Sequence, residues 1–452
     1  MTTLRLWNAR ALDPASGTVL ESATILIEDG RIAEIAQAAG DAPEGVIDLA
    51  GRTVLPGLID AHTHLTSDLS RSPGFGPGPQ LHGEDPRPRE LGWFVLARTG
   101  PALLAAGVTT VRDVGSYDDE GIVMRRAVEL GLADGPRVLS CGRILSATSP
   151  GGRMFGSMYA EADGPWAMRR AVREQLRRGA DFVKLMSTGA RSVEREDPEP
   201  AQLTREEVAA IVDEAHRLGL RVASHAEGLD GARLSIEEGV DTIEHGFSLH
   251  RDRRLLDAMA ESGQVLVPTL TTFHDLAERF APEWVPRLVV QAERQLEEAY
   301  VTLVAARDAG VTIAMGFDSG PPGANLWELV RMAEGGLGAM AALAAATSGS
   351  ATAMGLETEI GHLRPGATAD LVVVDGDPVA DVRVLLRPAR IRLVFRDGVA
   401  VAGRDLRPVL PGVDRAAQDE ELPPPDGPPS GCCGMGSAAS PSFPSRAPAG
   451  ST

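Results

Sequence analysis

One lysine, Lys184, stands among 44 Lys+Arg residues, and its neighbours suggest chemistry. It lies in Asp181-Phe182-Val183-Lys184-Leu185-Met186, a short apolar run entering Ser187-Thr188-Gly189, which reads as a buried strand running into a loop. Arginine replaces lysine wherever only positive charge is wanted, and a GC-rich genome alone accounts for that bias. A guanidinium stays protonated, whereas a buried amine can lose its proton and react. A position that uses the amine would therefore keep lysine. A leftover lysine snorkelling from a strand end is the other reading.

The nine histidines tip the balance. His62 and His64 are two residues apart and so share one side of a strand. His225, His245 and Asp318 each end a later strand-like segment. Imidazoles and a carboxylate suit zinc and related divalent ions. Four histidines and one aspartate are generous for one ion and sparse for two. A lysine amine that has captured CO2 as a carbamate adds two anionic oxygens, enough to bridge a pair of ions. Arginine cannot do this.

These residues need a frame that converges strand ends. A repeated strand-then-helix pattern marks parallel βα units. Eight strands are expected, at Val54 to Asp60, Val108 to Val114, Arg137 to Leu145, Asp181 to Met186, Arg221 to Ala226, Asp241 to His245, Gln264 to Leu270 and Thr312 to Asp318. Glu206 to Leu218 carries an apolar stripe of Val208, Ile211, Val212, Ala215 and Leu218, and Thr204 with Glu207 forms a capping box ahead of it. Eight units predict a (β/α)8 TIM barrel with chemistry at the C-terminal strand ends. Ala23 to Glu28 and Arg31 to Ile35 flank Asp29-Gly30 as a hairpin, and Asp370 to Asp375, Ile391 to Phe395, Asp397-Gly398 and Val399 to Val401 repeat such signals near the far end. Neither end can bury a sheet face alone, so the expectation is one small β-sandwich domain built from 1–56 and 358–405. It would flank a barrel over 57–357, with a Pro/Gly/Ser-rich disordered tail over 406–452.

Several motifs now read together. They are Val54-Leu55-Pro56-Gly57-Leu58-Ile59-Asp60-Ala61-His62-Thr63-His64, Gly107-Val108-Thr109-Thr110-Val111-Arg112-Asp113-Val114-Gly115, Lys184, His225, Ile243-Glu244-His245-Gly246, Asp318 and Gly361 through Leu371. The chain in this pattern resembles the amidohydrolase superfamily, in its binuclear branch with a carboxylated lysine. Within it, the wording around Arg112-Asp113 and Glu244-His245 is most similar to the imidazolonepropionase-related and Xaa-Pro dipeptidase-like group. The resemblance covers all but the tail. It implies His62, His64 and Asp318 on one metal and His225 and His245 on the other, bridged by carboxylated Lys184 and a hydroxide. The ions are expected to be zinc, with manganese or cobalt as alternatives. Asp318 would take a proton from the attacking water and pass it to the leaving amine.

The implied activity is hydrolysis of a carbon–nitrogen bond in a small-molecule amide, a dipeptide or an N-acyl amino acid. The same ligands would serve cyclic amides, carbamates, ureas or esters, including xenobiotics. A catalytically retired scaffold is the non-enzymatic reading, although all six ligands are present. A mononuclear deaminase would have no need of the strand-end lysine. Substrate contacts are expected among Arg153, Arg191 and His274. Arg153 follows the Gly151-Gly152 pair, where related sequences often have histidine, and could clamp a substrate carboxylate. Arg191 follows Lys184 and His274 follows the seventh strand; each has a loop-solvated alternative. His82, His216, His250 and His362 read as structural or solvated. The Gly/Pro-rich stretch from Thr66 to Glu90 reads as a lid or as a surface insertion.

Charge and composition narrow the partners. A net charge of -19 repels nucleic-acid backbones and anionic membranes, and no apolar span is long enough to cross a bilayer. Without an apolar signal core at the start, the expected location is cytoplasmic. Three cysteines provide no disulfide framework. Cys141 reads as a small core residue, and Cys432-Cys433 as incidental to the tail. Relatives often assemble, so a homo-oligomer is among the expected states.

Overall fold

The computed structural model describes residues 3–66, 91–279 and 286–406. The stretch from Ser67 to Glu90, including His82, and the tail with Cys432 and Cys433 lie outside the described residues.

Eight strands form the barrel: Leu58–Thr63, Val108–Asp113, Arg137–Ser140, Phe182–Met186, Arg221–Ala226, Thr242–His245, Val265–Val267 and Thr312–Ile313. Neighbours pair in parallel through each half of the ring. The third strand joins the fourth where the Asp181 amide donates to the Ser140 carbonyl at 2.9 Å. The eighth closes onto the first where Ala61 donates to Met315 at 2.8 Å and Asp318 to His62 at 2.9 Å. A barrel has no free edge, so every strand end on one rim faces the same mouth.

Two predicted strands break in two. The run at Val54 to Asp60 divides at Gly57. Thr53–Pro56 pairs antiparallel with Leu371–Val374, and only Leu58 onward enters the barrel. A Cβ at Gly57 would lie 2.1 Å from the Thr109 hydroxyl, so only glycine allows the chain to pass between the sheets there. The run at Arg137 to Leu145 divides at Cys141-Gly142, where Gly142 adopts φ 66°. Its second half, Ile144–Ser146, pairs instead with Tyr159–Glu161 and touches the fourth strand. Cys141 is fully buried, as a core residue should be. The seventh strand is shorter than expected because Leu270–His274 is helical.

Both chain ends do build one accessory β-domain. An eight-stranded mixed sheet runs from Val399–Ala402 through Ile391–Arg396, Leu371–Val374 and Thr53–Pro56 to Thr3–Asp13, Thr18–Glu28 and Arg31–Gln37, with Ile47–Asp48 paired to Thr3–Asp13. The two Asp-Gly tips, Asp29-Gly30 and Asp397-Gly398, each take positive φ at both residues, as a tight hairpin demands. They abut one another: a Cβ on Gly30 would meet the Asp397 carbonyl at 2.8 Å. Arg137, from the third barrel strand, ties this sheet to the barrel through Asp370 and Asp397, each at 2.6 Å. The capped helix is Arg205–Arg217, with Thr204 accepting from the Glu207 amide and Glu207 accepting from the Thr204 amide. Its stripe Val208, Ile211, Val212 and Ala215 is buried, and Leu218 is half-buried. Among the described residues, no helix is long and apolar enough to cross a membrane.

Candidate metal centre

The first strand presents His62 and His64 from the same side, because strand residues alternate. Asp318 arrives from the eighth. Its Oδ1 stands 3.5 Å from His62 Nε2 and 3.4 Å from His64 Nε2, and one ligand atom from each of the three fits within a 4.8 Å cluster. His245 lies alongside, with its Nδ1 3.9 Å from Asp318 Oδ2 and its ring 5.1 Å from that of His62. His225 follows, its ring 4.5 Å from that of His245.

The outer nitrogens of these rings are already engaged. His62 Nδ1 is 2.6 Å from Glu244 Oε2, and His64 Nδ1 is 2.7 Å from the Gly115 carbonyl. Each of those nitrogens therefore donates to its acceptor, and each Nε2 faces the cluster. His225 Nε2 faces the Gly189 carbonyl and Glu227 Oε1, both at 3.2 Å, which leaves Nδ1 inward. Oxygen acceptors behind imidazoles that converge with a carboxylate are a donor set suited to divalent ions.

Lys184 is 2% exposed on the fourth strand, two residues before Met186, the register partner of His225. No carboxylate lies within ion-pair distance of it among the described residues. Burial lowers its ammonium below the usual lysine range, against the pull of Glu244 and Asp318. That environment makes the amine easier to deprotonate than an exposed one. Burial likewise pushes His62 and His245 down. For His64 burial is outweighed by Asp318, and its pKa rises. Burial would raise Asp318, but His62 and His64 overcome it and hold the carboxyl well below its ordinary range.

Backbone strain accompanies the cluster. His245, Thr269 and Asp318 adopt φ of 71°, 47° and 44° without being glycine, at a cost of about 1–3 kcal/mol each. At His245 the turn breaks strand alternation, so Glu244 and His245 both reach the site. Arg112 then holds Glu244 from the second strand: its Nη2 lies 2.8 Å from Glu244 Oε1, and its Nε donates to the Ala61 carbonyl at 2.6 Å. Burial opposes the Glu244 carboxylate, but Arg112 and Lys184 outweigh it and keep the carboxyl well below normal.

The three expected substrate contacts fall in different places. Arg191 is 5% exposed, 2.7 Å from Glu227 and 3.9 Å from Asp318 Oδ2. Arg153 is exposed on the short helix Pro150–Phe155. His274 is half-buried, with Nε2 3.0 Å from the Tyr300 hydroxyl and Nδ1 3.2 Å from Glu278. Of the other histidines, His216 pairs with Asp241 at 2.9 Å and His250 with Thr302 at 2.8 Å, while His362 is half-buried. Sequence reasoning gave Glu244, Glu227 and Arg112 no role in the centre. Arg112 and Glu244 entered only as part of the motif wording, and Glu227 as a charge beside an apolar strand; neither signal reveals a partner.

A (β/α)8 barrel that gathers histidines, a buried lysine and an aspartate on one rim has the layout of a barrel enzyme. The chain belongs to the Amidohydrolase family, whose pattern it matches over residues 53–401. It is 30% identical over 433 residues to ochratoxinase of Aspergillus niger, spanning 88% of this chain and 87% of that one. With imidazolonepropionase of Paracoccus denitrificans it shares 29% identity over 421 residues, 85% of this chain and 96% of the relative. A crystal structure of a prolidase complexed with N-methylphosphonate-L-proline matches with a TM-score of 0.79 at 29% identity, over 89% of this chain and 100% of that one. The protein is thus an enzyme acting on carbon–nitrogen bonds.

Proposed function

We propose that this enzyme hydrolyses the amide bond of a dipeptide, an N-acyl amino acid or a related small molecule at a pair of divalent ions, zinc first among them. The observation that carries this reading is the convergence of His62 and His64 Nε2 on one Asp318 oxygen, on the same rim as a buried lysine with no carboxylate at ion-pair distance among the described residues. His62, His64 and Asp318 would hold one ion, His225 and His245 the other, and Lys184, carboxylated by CO2, both. When bound, the ions supply Lewis acidity that lowers the pKa of water and polarises a carbonyl. Asp318 Oδ1 or Oδ2 takes the proton from the attacking water and gives it to the amine nitrogen as the carbon–nitrogen bond breaks. Glu244 and the Gly115 carbonyl keep His62 and His64 in the tautomer with Nε2 inward. A prolidase complexed with N-methylphosphonate-L-proline among the solved relatives favours an amide joined to an amino acid.

The test is metal analysis with a substrate panel of Xaa-Pro dipeptides, N-acyl amino acids, cyclic amides and carbamates. About two ions per chain are expected, with amide turnover lost on chelation and restored by zinc, manganese or cobalt. Undiminished turnover by fully demetallated protein would overturn the mechanism.

A further inference from the structure

Glu227 stands two residues beyond His225 and is fully buried, as is nearly all of Arg191. Its Oε1 accepts from the Arg191 amide at 3.1 Å, lies 2.7 Å from Arg191 Nη1, and sits 3.2 Å from His225 Nε2. One oxygen thus lies against both the arginine and the histidine, whose Nε2 also faces the Gly189 carbonyl at 3.2 Å. The Glu227 backbone is pinned as well: its amide donates to Thr188 Oγ1 at 3.2 Å, and its carbonyl accepts from Ser248 at 3.1 Å. Arg191 is seated over the Phe273 ring at 4.1 Å, with Nη2 donating to Thr272 Oγ1 at 3.2 Å.

On the other side of the centre, Arg112, Glu244 and His62 make a chain of the same composition. The strands involved differ, so this likeness does not follow from one local motif. A carboxylate with no exposure is costly unless paired, and Arg191 is the cation that pairs with Glu227. Glu227 adds a charged acceptor to the Gly189 carbonyl behind Nε2, and so strengthens the orientation that leaves Nδ1 inward.

We infer that Glu227 and Arg191 are positioning residues that fix His225 with Nδ1 toward the centre, selectively supporting the ion assigned to His225 and His245. This rests on the binuclear reading above. Loss of a partner behind a metal-binding imidazole typically weakens the metal about 10–100-fold.

Cobalt-loaded enzyme titrated with a competing chelator, followed by its visible absorption, tests this. Glu227→Ala should weaken one equivalent of cobalt about 10–100-fold and leave the other as in the wild type. Glu227→Gln, which keeps an acceptor oxygen for the imidazole, should recover most of the loss. If Glu227→Ala does not fold, Glu227→Leu, which keeps the volume but not the acceptor, decides the matter by the same criterion. Two unchanged equivalents, or two weakened alike, overturn the inference while the binuclear reading stands. A wild-type chain that never holds two ions overturns that reading, and this inference with it.

Discussion

Glu244 precedes His245 in the chain, yet its carboxylate lies 2.6 Å from Nδ1 of His62, across the barrel mouth. The left-handed turn at His245 makes this possible by letting consecutive side chains face the same site. One strand end thereby supplies both a proposed ligand and the support for another.

Glu244→Ala removes the acceptor behind His62 and unpairs Arg112. Metal affinity or activity should fall about 10–100-fold, read by metal titration alongside kcat/KM. A change below threefold in both would show that Glu244 does not orient His62.

Lys184→Ala removes the amine together with one of the largest fully buried side chains. We expect the folded variant to retain less metal than the wild type and to lose turnover, while Lys184→Arg fares no better because a guanidinium cannot carry CO2. Full metal content and activity in either variant would remove the bridging role. Mass and infrared signatures of a carbamate in the wild type provide an independent readout.

Glu328 offers a pH test away from the histidines. It is buried and accepts from the Leu270 and Thr271 amides at 2.8 Å and from the Thr271 hydroxyl at 2.7 Å. Burial raises its carboxyl to about 7, against those hydrogen bonds. The folded state then binds its proton more tightly than the unfolded state. The stabilising contribution is complete below the ordinary carboxyl range and is lost as pH rises toward 7, a change on the order of 3 kcal/mol. Urea unfolding of wild type and Glu328→Gln between pH 4.5 and 8 should show this slope only in the wild type. Parallel profiles would contradict it.

Thr204→Ala deletes the hydroxyl half of the capping box over Arg205–Arg217. Stability should drop by about 1 kcal/mol with activity per folded molecule unchanged, measured by denaturant unfolding and assay. The companion Glu207→Ala should cost more, because Glu207 also accepts from the Gly164 amide at 2.7 Å.

Much of the architecture was legible in the chain because its signals are local. Asp-Gly pairs between β-branched runs encode hairpins through φ alone, and alternating strand and helix periods encode βα units. The divided strands were not legible, since Gly57 and Gly142 interrupt apolar runs that look continuous until two sheets compete for them.

The candidate centre divides along the same line. Residue type and strand-end position singled out His62, His64, Lys184, His225, His245 and Asp318 without coordinates, because a closed parallel barrel places strand ends on one rim. The pairing of Glu244 with His62, of Glu227 with His225 and Arg191, and the burial of Arg191 beside Asp318 came only from the tertiary structure. Those contacts join strands far apart in the sequence, and no local period records which buried acid will meet which imidazole.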